Sequence, residues 1–158
     1  MIYQDLLDES ALARYAAALN ARAGHARVNG RLKADALRGR ILESGGRCEW
    51  CGLSLVSAEF ELDHVLSLRQ GGANSAANLV VACPDCNRRK GRKHPARFAA
   101  EIYRKTGRRT ELLIRLFQRY GLDPAPQLPL FADEAREAWP AIDTGVEVSA
   151  APPYTWVD

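Results

Sequence analysis

Cys48-Glu49-Trp50-Cys51-Gly52, Leu62-Asp63-His64-Val65 and Cys83-Pro84-Asp85-Cys86-Asn87-Arg88-Arg89-Lys90 decide how this chain of 158 residues folds. The four cysteines are all the chain has, and they form two Cys-x-x-Cys pairs that bracket an Asp-His dipeptide. Two such pairs at this separation supply one tetrahedral Zn²⁺ site and leave no thiol over. Ligation of this kind is coupled to folding, so the pairs pin a compact unit. A carboxylate, an imidazole and an amide (Asp63, His64 and Asn87) are carried on that unit.

Outward from this centre, the charge is unevenly spread. The net value is +3, yet residues 88–109 hold ten Lys or Arg against the single acid Glu101. Residues 122–158 hold seven Asp or Glu against the single Arg136. A basic centre points to a polyanionic partner, and an acidic end to a separate solvated appendage. No N-terminal apolar run resembles a signal peptide and no segment is long enough to span a bilayer. A cytoplasmic location follows as the expectation, with cysteines that ligate metal in a reducing compartment.

Leu6, Leu7, Leu12, Tyr15, Ala16 and Leu19 fall near helical spacing and predict a helix over about 3–22. Asn29 is placed to cap a second helix over about 31–43, with Gly45-Gly46 as its stop. Short strands are expected around 59–63 and 79–82, separated by the Gly71-Gly72 loop. Pro84 suits the first position of a helix, and the His94-Pro95 step is expected to end or kink that helix, with Pro95 able to begin the next. Leu112, Leu113, Leu116, Phe117 and Tyr120 predict a last helix from Thr110 to the stop at Gly121. Beyond it, Asp123-Pro124-Ala125-Pro126 and Ala151-Pro152-Pro153 mark a mostly extended tail, with one short helix near 132–139.

Residues 46–93 resemble the HNH endonucleases, the ββα-metal nucleases, here with a zinc-stapled finger. The resemblance runs through Cys48-x-x-Cys51-Gly52, Leu62-Asp63-His64-Val65, Gly71-Gly72, Asn78-Leu79-Val80 and Cys83-x-x-Cys86-Asn87-x-x-Lys90-Gly91. It covers about a third of the chain, and its weight comes from five elements in order. It implies an α+β fold: an antiparallel hairpin and a metal helix, stapled by zinc and wrapped by flanking helices. The divisions are then 1–44 (helical), 45–94 (nuclease core), 95–121 (helical) and 122–158 (Pro-rich acidic tail).

By the same resemblance the activity is metal-dependent hydrolysis of DNA phosphodiesters, leaving 3′-hydroxyl and 5′-phosphate ends. His64 is the general base, and Asp63 and Asn87 are ligands of one catalytic divalent metal. Asn78, the motif's middle residue, orients the His64 segment through its amide. Asparagine at 87, where the family often has histidine, makes a hard oxygen site that favours Mg²⁺ or Mn²⁺. Neighbouring residues on a regular strand point to opposite faces, so regular pairing is expected to stop at or just after Asp63. Phosphate contact is assigned to Arg88, Arg89, Lys90, Arg92, Lys93 and Arg97, with no element that reads bases. Trp50 is expected to pack over the cysteine turn, His25 to sit exposed in a loop, and His94 to lie outside the active site. Two rivals stand beside this reading: a catalytically silent zinc-finger module that binds nucleic acid, and an adaptor recruited through its tail.

In that tail, Gln127-Leu128-Pro129-Leu130-Phe131 resembles the pentapeptide by which bacterial proteins dock on the replicative sliding clamp. The amide of Gln127 sets register while Leu128, Leu130 and Phe131 fill apolar pockets. The alternative is that these apolar side chains fold back to finish the core. Replacing Leu130 and Phe131 together by Ala is expected to abolish clamp capture in a pull-down at an unchanged melting temperature. A large loss of stability assigns the same side chains to the core instead.

Overall fold

The computed structural model describes residues 1–3, 6 and 8–122, and these lie within one compact unit, Met1–Pro124. The architecture is α+β. Two helices, α1 (Glu9–His25) and α2 (Ala34–Glu43), precede an antiparallel pair, β1 (Glu61–His64) and β2 (Leu79–Ala82). Three helices follow: α3 (Pro84–Lys90), α4 (Pro95–Thr106) and α5 (Glu111–Tyr120). The Gln127–Phe131 peptide and the short helix expected near 132–139 lie outside the described residues. No helix among the described residues is long and apolar enough to cross a membrane.

Local chemistry explains each boundary, including those that the sequence misplaces. Helix α1 starts at Glu9 because the Asp8 carboxylate accepts from the Ser10 and Ala11 amides, at 2.8 and 3.2 Å. That cap sets the start six residues later than the apolar spacing implies. The helix buries Leu12, Ala16, Leu19 and Ala23 along one stripe and runs on through His25, which is helical and not a loop residue. Helix α2 does not start at Asn29. The Asn20 amide holds Leu32 extended, accepting from its N–H at 2.8 Å and donating to its carbonyl at 3.0 Å. A backbone clamped in this way cannot turn into a helix until Lys33 has passed.

The expected punctuation of the second half is present. Pro84 opens α3 with Cys83 at the cap, and Pro95 opens α4 behind His94, whose Nδ1 accepts from the Ala96 amide at 3.3 Å. Thr110 caps α5 and Gly121 closes it in the left-handed region. His94 packs its ring on Tyr120, 4.8 Å between centroids. Strand β1 spans Glu61–His64, shifted from the expected 59–63, whereas β2 falls where its β-branched run predicts. Pairing continues through His64, opposite Leu79, one residue past Asp63.

β2 is buried along its whole length, yet it has a free edge opposite β1. Glu49, inside the first Cys-x-x-Cys turn, closes that edge. Its amide donates to the Val81 carbonyl at 2.9 Å, and its carboxylate accepts from the Val81 amide at 2.7 Å. Arg40 of α2 pairs with the same carboxylate and donates from Nε to the Leu79 carbonyl at 2.8 Å. Thr110 donates to the Glu49 carbonyl at 2.6 Å, which ties in the start of α5. Trp50, the next residue, is fully buried, with its ring 4.9 Å from that of Phe98 in an edge-to-face contact.

The Arg40–Glu49 pair is nearly dry, with side chains 10% and 12% exposed. Removing one partner strands the other charge, so Glu49→Ala is expected to cost about 3–5 kcal/mol in urea unfolding. A double replacement by apolar residues of similar size should recover much of that loss; a cost under about 1 kcal/mol for Glu49→Ala would assign the pair to the solvated surface class.

Candidate active site

The four cysteines converge. Their sulfur atoms all lie within 4.8 Å of one another, and Cys51 Sγ is 4.0 Å from Cys83 Sγ. Zinc–sulfur bonds of about 2.3 Å in a tetrahedron set sulfurs roughly 3.8 Å apart, so the cluster has the size a zinc ion needs. The first pair sits on a tight turn in which Gly52, at φ +75°, donates to the Cys48 carbonyl at 2.7 Å. The second pair is held by the first turn of α3. Proton sharing within the cluster is lopsided. Cys48 falls to about 5, chiefly because the Cys86 thiol donates to it, while Cys86 is driven well above the ordinary thiol range by the same contact. Burial raises Cys51 to about 11. A divalent cation replaces these shared protons with one central charge, which is the chemistry that a four-thiolate donor set fits.

The clasp places α3 against β1, and the alternation of β1 decides which side chains meet that helix. Glu61 and Asp63 are half-buried, while Leu62 and His64 are buried. Facing them on α3 are Asn87 and Lys90, three residues apart on one face of the helix. Asn87 donates from Nδ2 to a Glu61 carboxylate oxygen. Because a carboxylate only accepts, this contact fixes the amide and leaves Asn87 Oδ1 as the atom open to a cation. Lys90 is 1% exposed, and its ammonium lies 2.9 Å from Asp63 Oδ2 while donating to the His64 carbonyl at 2.7 Å. The Asp63 contact is an ion pair without hydrogen-bond alignment, since Oδ2 has no aligned donor. Lys90 therefore cannot touch substrate phosphate, contrary to the expectation from its place in the basic run.

Asp63 and His64 point to opposite faces, as a regular strand requires. Both still line one cleft of about 340 Å³, which opens across the C-terminal end of β1. Its other walls are Arg22 and His25 from α1 with Ala26 just past its end, then Ser67, Leu68 and Arg69, and finally Arg92. Asn87 is on the Asp63 side of the sheet but is not a wall of this cleft. A larger groove, about 940 Å³, runs between α2, β2 and α5; it contains neither Asp63 nor His64. Burial pushes the Asp63 carboxyl above its ordinary value against the pull of Lys90. Burial also pushes the His64 imidazolium down, opposed by the Asn74 contact and by Asp63. The lowered value favours a neutral imidazole at pH 7.

Asn78 holds the segment that follows β1. Its Oδ1 accepts from the Leu66 amide at 3.0 Å, and its Nδ2 donates to the Leu66 and Ala73 carbonyls at 2.9 and 2.8 Å. The side chain thus closes the loop onto itself. Gly72 is needed in that closure: a Cβ there would stand 1.9 Å from the Leu66 carbonyl oxygen.

The basic run divides into three fates. Lys90 is buried, and Arg89 and Lys93 are bonded to Glu101 at 2.9 and 2.7 Å. Arg88, Arg92 and Arg97 remain exposed. Arg22 and Arg69, which the sequence reading left out, join Arg92 around the cleft, and among the described residues none of these three forms an ion pair. Gln70 donates to the Arg92 carbonyl at 3.1 Å and so keeps Arg69 and Arg92 on one side of the cleft. Arg69 adjoins the Gly71-Gly72 loop and could have been found there. Arg22 could not, since only the packing of α1 brings it near.

Purified protein is expected to hold about one zinc per chain, and stripping it with a chelator under reducing conditions should erase amide protection in the Cys48–Leu55 turn and α3. Unchanged protection and melting temperature after stripping would reject the clasp. No curated protein matches this chain. Residues 48–93, which carry the clasp, β1, β2 and α3, match the family model of the HNH endonuclease, and the four-cysteine cluster fits the zinc-binding form of that family.

Proposed function

We propose that this protein is a metal-dependent endonuclease that hydrolyses DNA phosphodiester bonds one strand at a time. The observation that carries the reading is the meeting of Asp63 and His64, inside the segment that matches the HNH family, in one cleft rimmed by arginines that form no ion pair among the described residues. In this reading Arg22, Arg69 and Arg92 hold the phosphates on either side of the scissile bond, with Arg88 and Arg97 further out along the backbone. His64, neutral at pH 7, takes a proton from the water whose oxygen attacks phosphorus. The bond from phosphorus to the 3′ oxygen breaks, and that oxygen takes up a proton from solvent.

Asp63 and the Oδ1 of Asn87 are the oxygen donors for Mg²⁺ or Mn²⁺. Such an ion, when bound, offsets charge on the phosphate and the departing oxygen. Lys90 keeps the Asp63 carboxylate ionised and in place. Asn78 fixes the turn that carries the strand out of the cleft, so its contribution is to geometry. One such centre per chain makes nicking the primary event.

Plasmid nicking with Mg²⁺ or Mn²⁺ tests the reading. His64→Ala is expected to lower the rate by the ~10²–10⁴ that a positioned base contributes, at unchanged DNA affinity. Cleavage that survives this substitution removes His64 from the mechanism. DNA retention without cutting by the wild-type protein favours the silent zinc-finger module, and neither cutting nor retention favours the adaptor.

A further inference from the structure

The hydrogen bonds behind His64 lead out of the HNH segment and into α1. Asn74, 2% exposed, lies in the loop after Gly71-Gly72, and its Oδ1 is 3.2 Å from Nε2 of His64, itself 8% exposed. Its Nδ2 donates to Asn20 Oδ1 and to the Gly30 carbonyl, both at 3.0 Å. Asn20 is in turn held by both backbone groups of Leu32.

Every bond in this relay has a fixed direction. The Leu32 amide can only donate, so Asn20 must present its oxygen there, and that same oxygen then demands a donor from Asn74. The Gly30 carbonyl demands the second proton of the Asn74 amide. With both protons spent, Asn74 offers His64 only an acceptor, and Nε2 must carry the hydrogen. Among the described residues no group bonds to Nδ1. Close approach also shapes the relay: Gly30 has φ +121°, and a Cβ there would stand 2.5 Å from the Asn74 carbonyl oxygen.

We propose that Asn74, locked by Asn20 and Gly30, is a positioning residue that holds His64 as its Nε2–H tautomer and leaves Nδ1 as the nitrogen that accepts a proton. The last clause rests on the reading of His64 as a general base; the tautomer itself does not. Helix α1, outside the matched segment, thereby becomes part of the machinery of the site, because it carries Asn20 at one end of the relay. A substrate-positioning role for Asn74 is excluded by its burial.

The test is a long-range proton–nitrogen correlation spectrum of the full chain labelled with ¹⁵N-histidine, without added Mg²⁺ or Mn²⁺, at about pH 8.5, two units above the ordinary histidine value. The chain has three histidines, which keeps assignment simple, and exposed His25 serves as the reference for a ring averaged between tautomers. Wild-type His64 is expected to show one protonated nitrogen, Nε2, and one bare nitrogen, Nδ1. Asn74→Ala, and in weaker form Asn20→Ala, should move both resonances toward the averaged positions of His25. In plasmid nicking, the Asn74→Ala rate should fall about tenfold or more at unchanged DNA affinity, within the ~10²–10⁴ contributed by a positioned base.

A wild-type His64 that is averaged, or protonated on Nδ1, overturns the proposal, and this readout needs no variant to fold. A locked Nε2–H tautomer in a protein that does not nick DNA supports the relay while it removes the nuclease reading. Activity in a protein whose His64 is averaged does the reverse.

Discussion

A lysine ammonium buried under the end of β1 is the contact on which the candidate site depends. Lys90 is on the last turn of α3, and its charge reaches the Asp63 carboxylate and the His64 carbonyl together. A buried ammonium is tolerable only with an anion beside it, so Asp63 is bound to the fold as well as to any chemistry. The arrangement fixes how far α3 stands from β1 and which side of the strand faces the helix. It also means that a loss of activity on replacing Asp63 would not by itself assign it a catalytic role, because the substitution strands Lys90. His64 is free of that ambiguity, since only its backbone carbonyl is used by Lys90.

The zinc clasp and Glu49 act on the same pair of strands from the other side. Cys83 and Cys86 fix the first turn of α3, while Cys48 and Cys51 fix the turn that carries Glu49. Glu49 then closes the free edge of β2 and couples it to α2 through Arg40 and to α5 through Thr110. A two-stranded pair is marginal alone in water. Here it is flanked by the converging cysteines at one end, closed along its free edge by Glu49 and held by a buried ion pair at the other end. A cation held by the four cysteines would therefore act on the site through α3, whose last turn carries the lysine that holds Asp63.

What the sequence makes legible is what short-range chemistry dictates. Pro84, Pro95, Thr110 and Gly121 set helix ends that hold in the structure, because each acts through its own backbone or its nearest neighbours. The paired cysteines are legible for a similar reason, since their spacing answers to the geometry of one ion. The start of α2 is missed because Asn20, twelve residues upstream, holds Leu32 extended. Lys90 is assigned to phosphate because its neighbours are basic; only the register of α3 against β1 reveals that it points inward. Arg22 and the Asn20–Asn74 relay depend on how α1 packs, and no local pattern records that.

The electrostatics of the cleft follow from these placements. Ten cations between 88 and 109 suggest one basic face, yet Glu101 alone takes up two of them and Asp63 a third. The arginines left around the cleft come from three separate parts of the chain: α1, the turn before Gly71-Gly72, and the segment after α3. Cations anchored on separate elements stay apart, whereas neighbours on one helix crowd into a single patch. Under the proposed function, a phosphodiester backbone passing Asp63 and His64 would meet guanidinium groups from three elements rather than from one helix. The flanking helix α1 thus supplies both a cation at the wall of the cleft and the far end of the bonds behind His64, so the cleft is complete only when α1 is folded onto the matched segment.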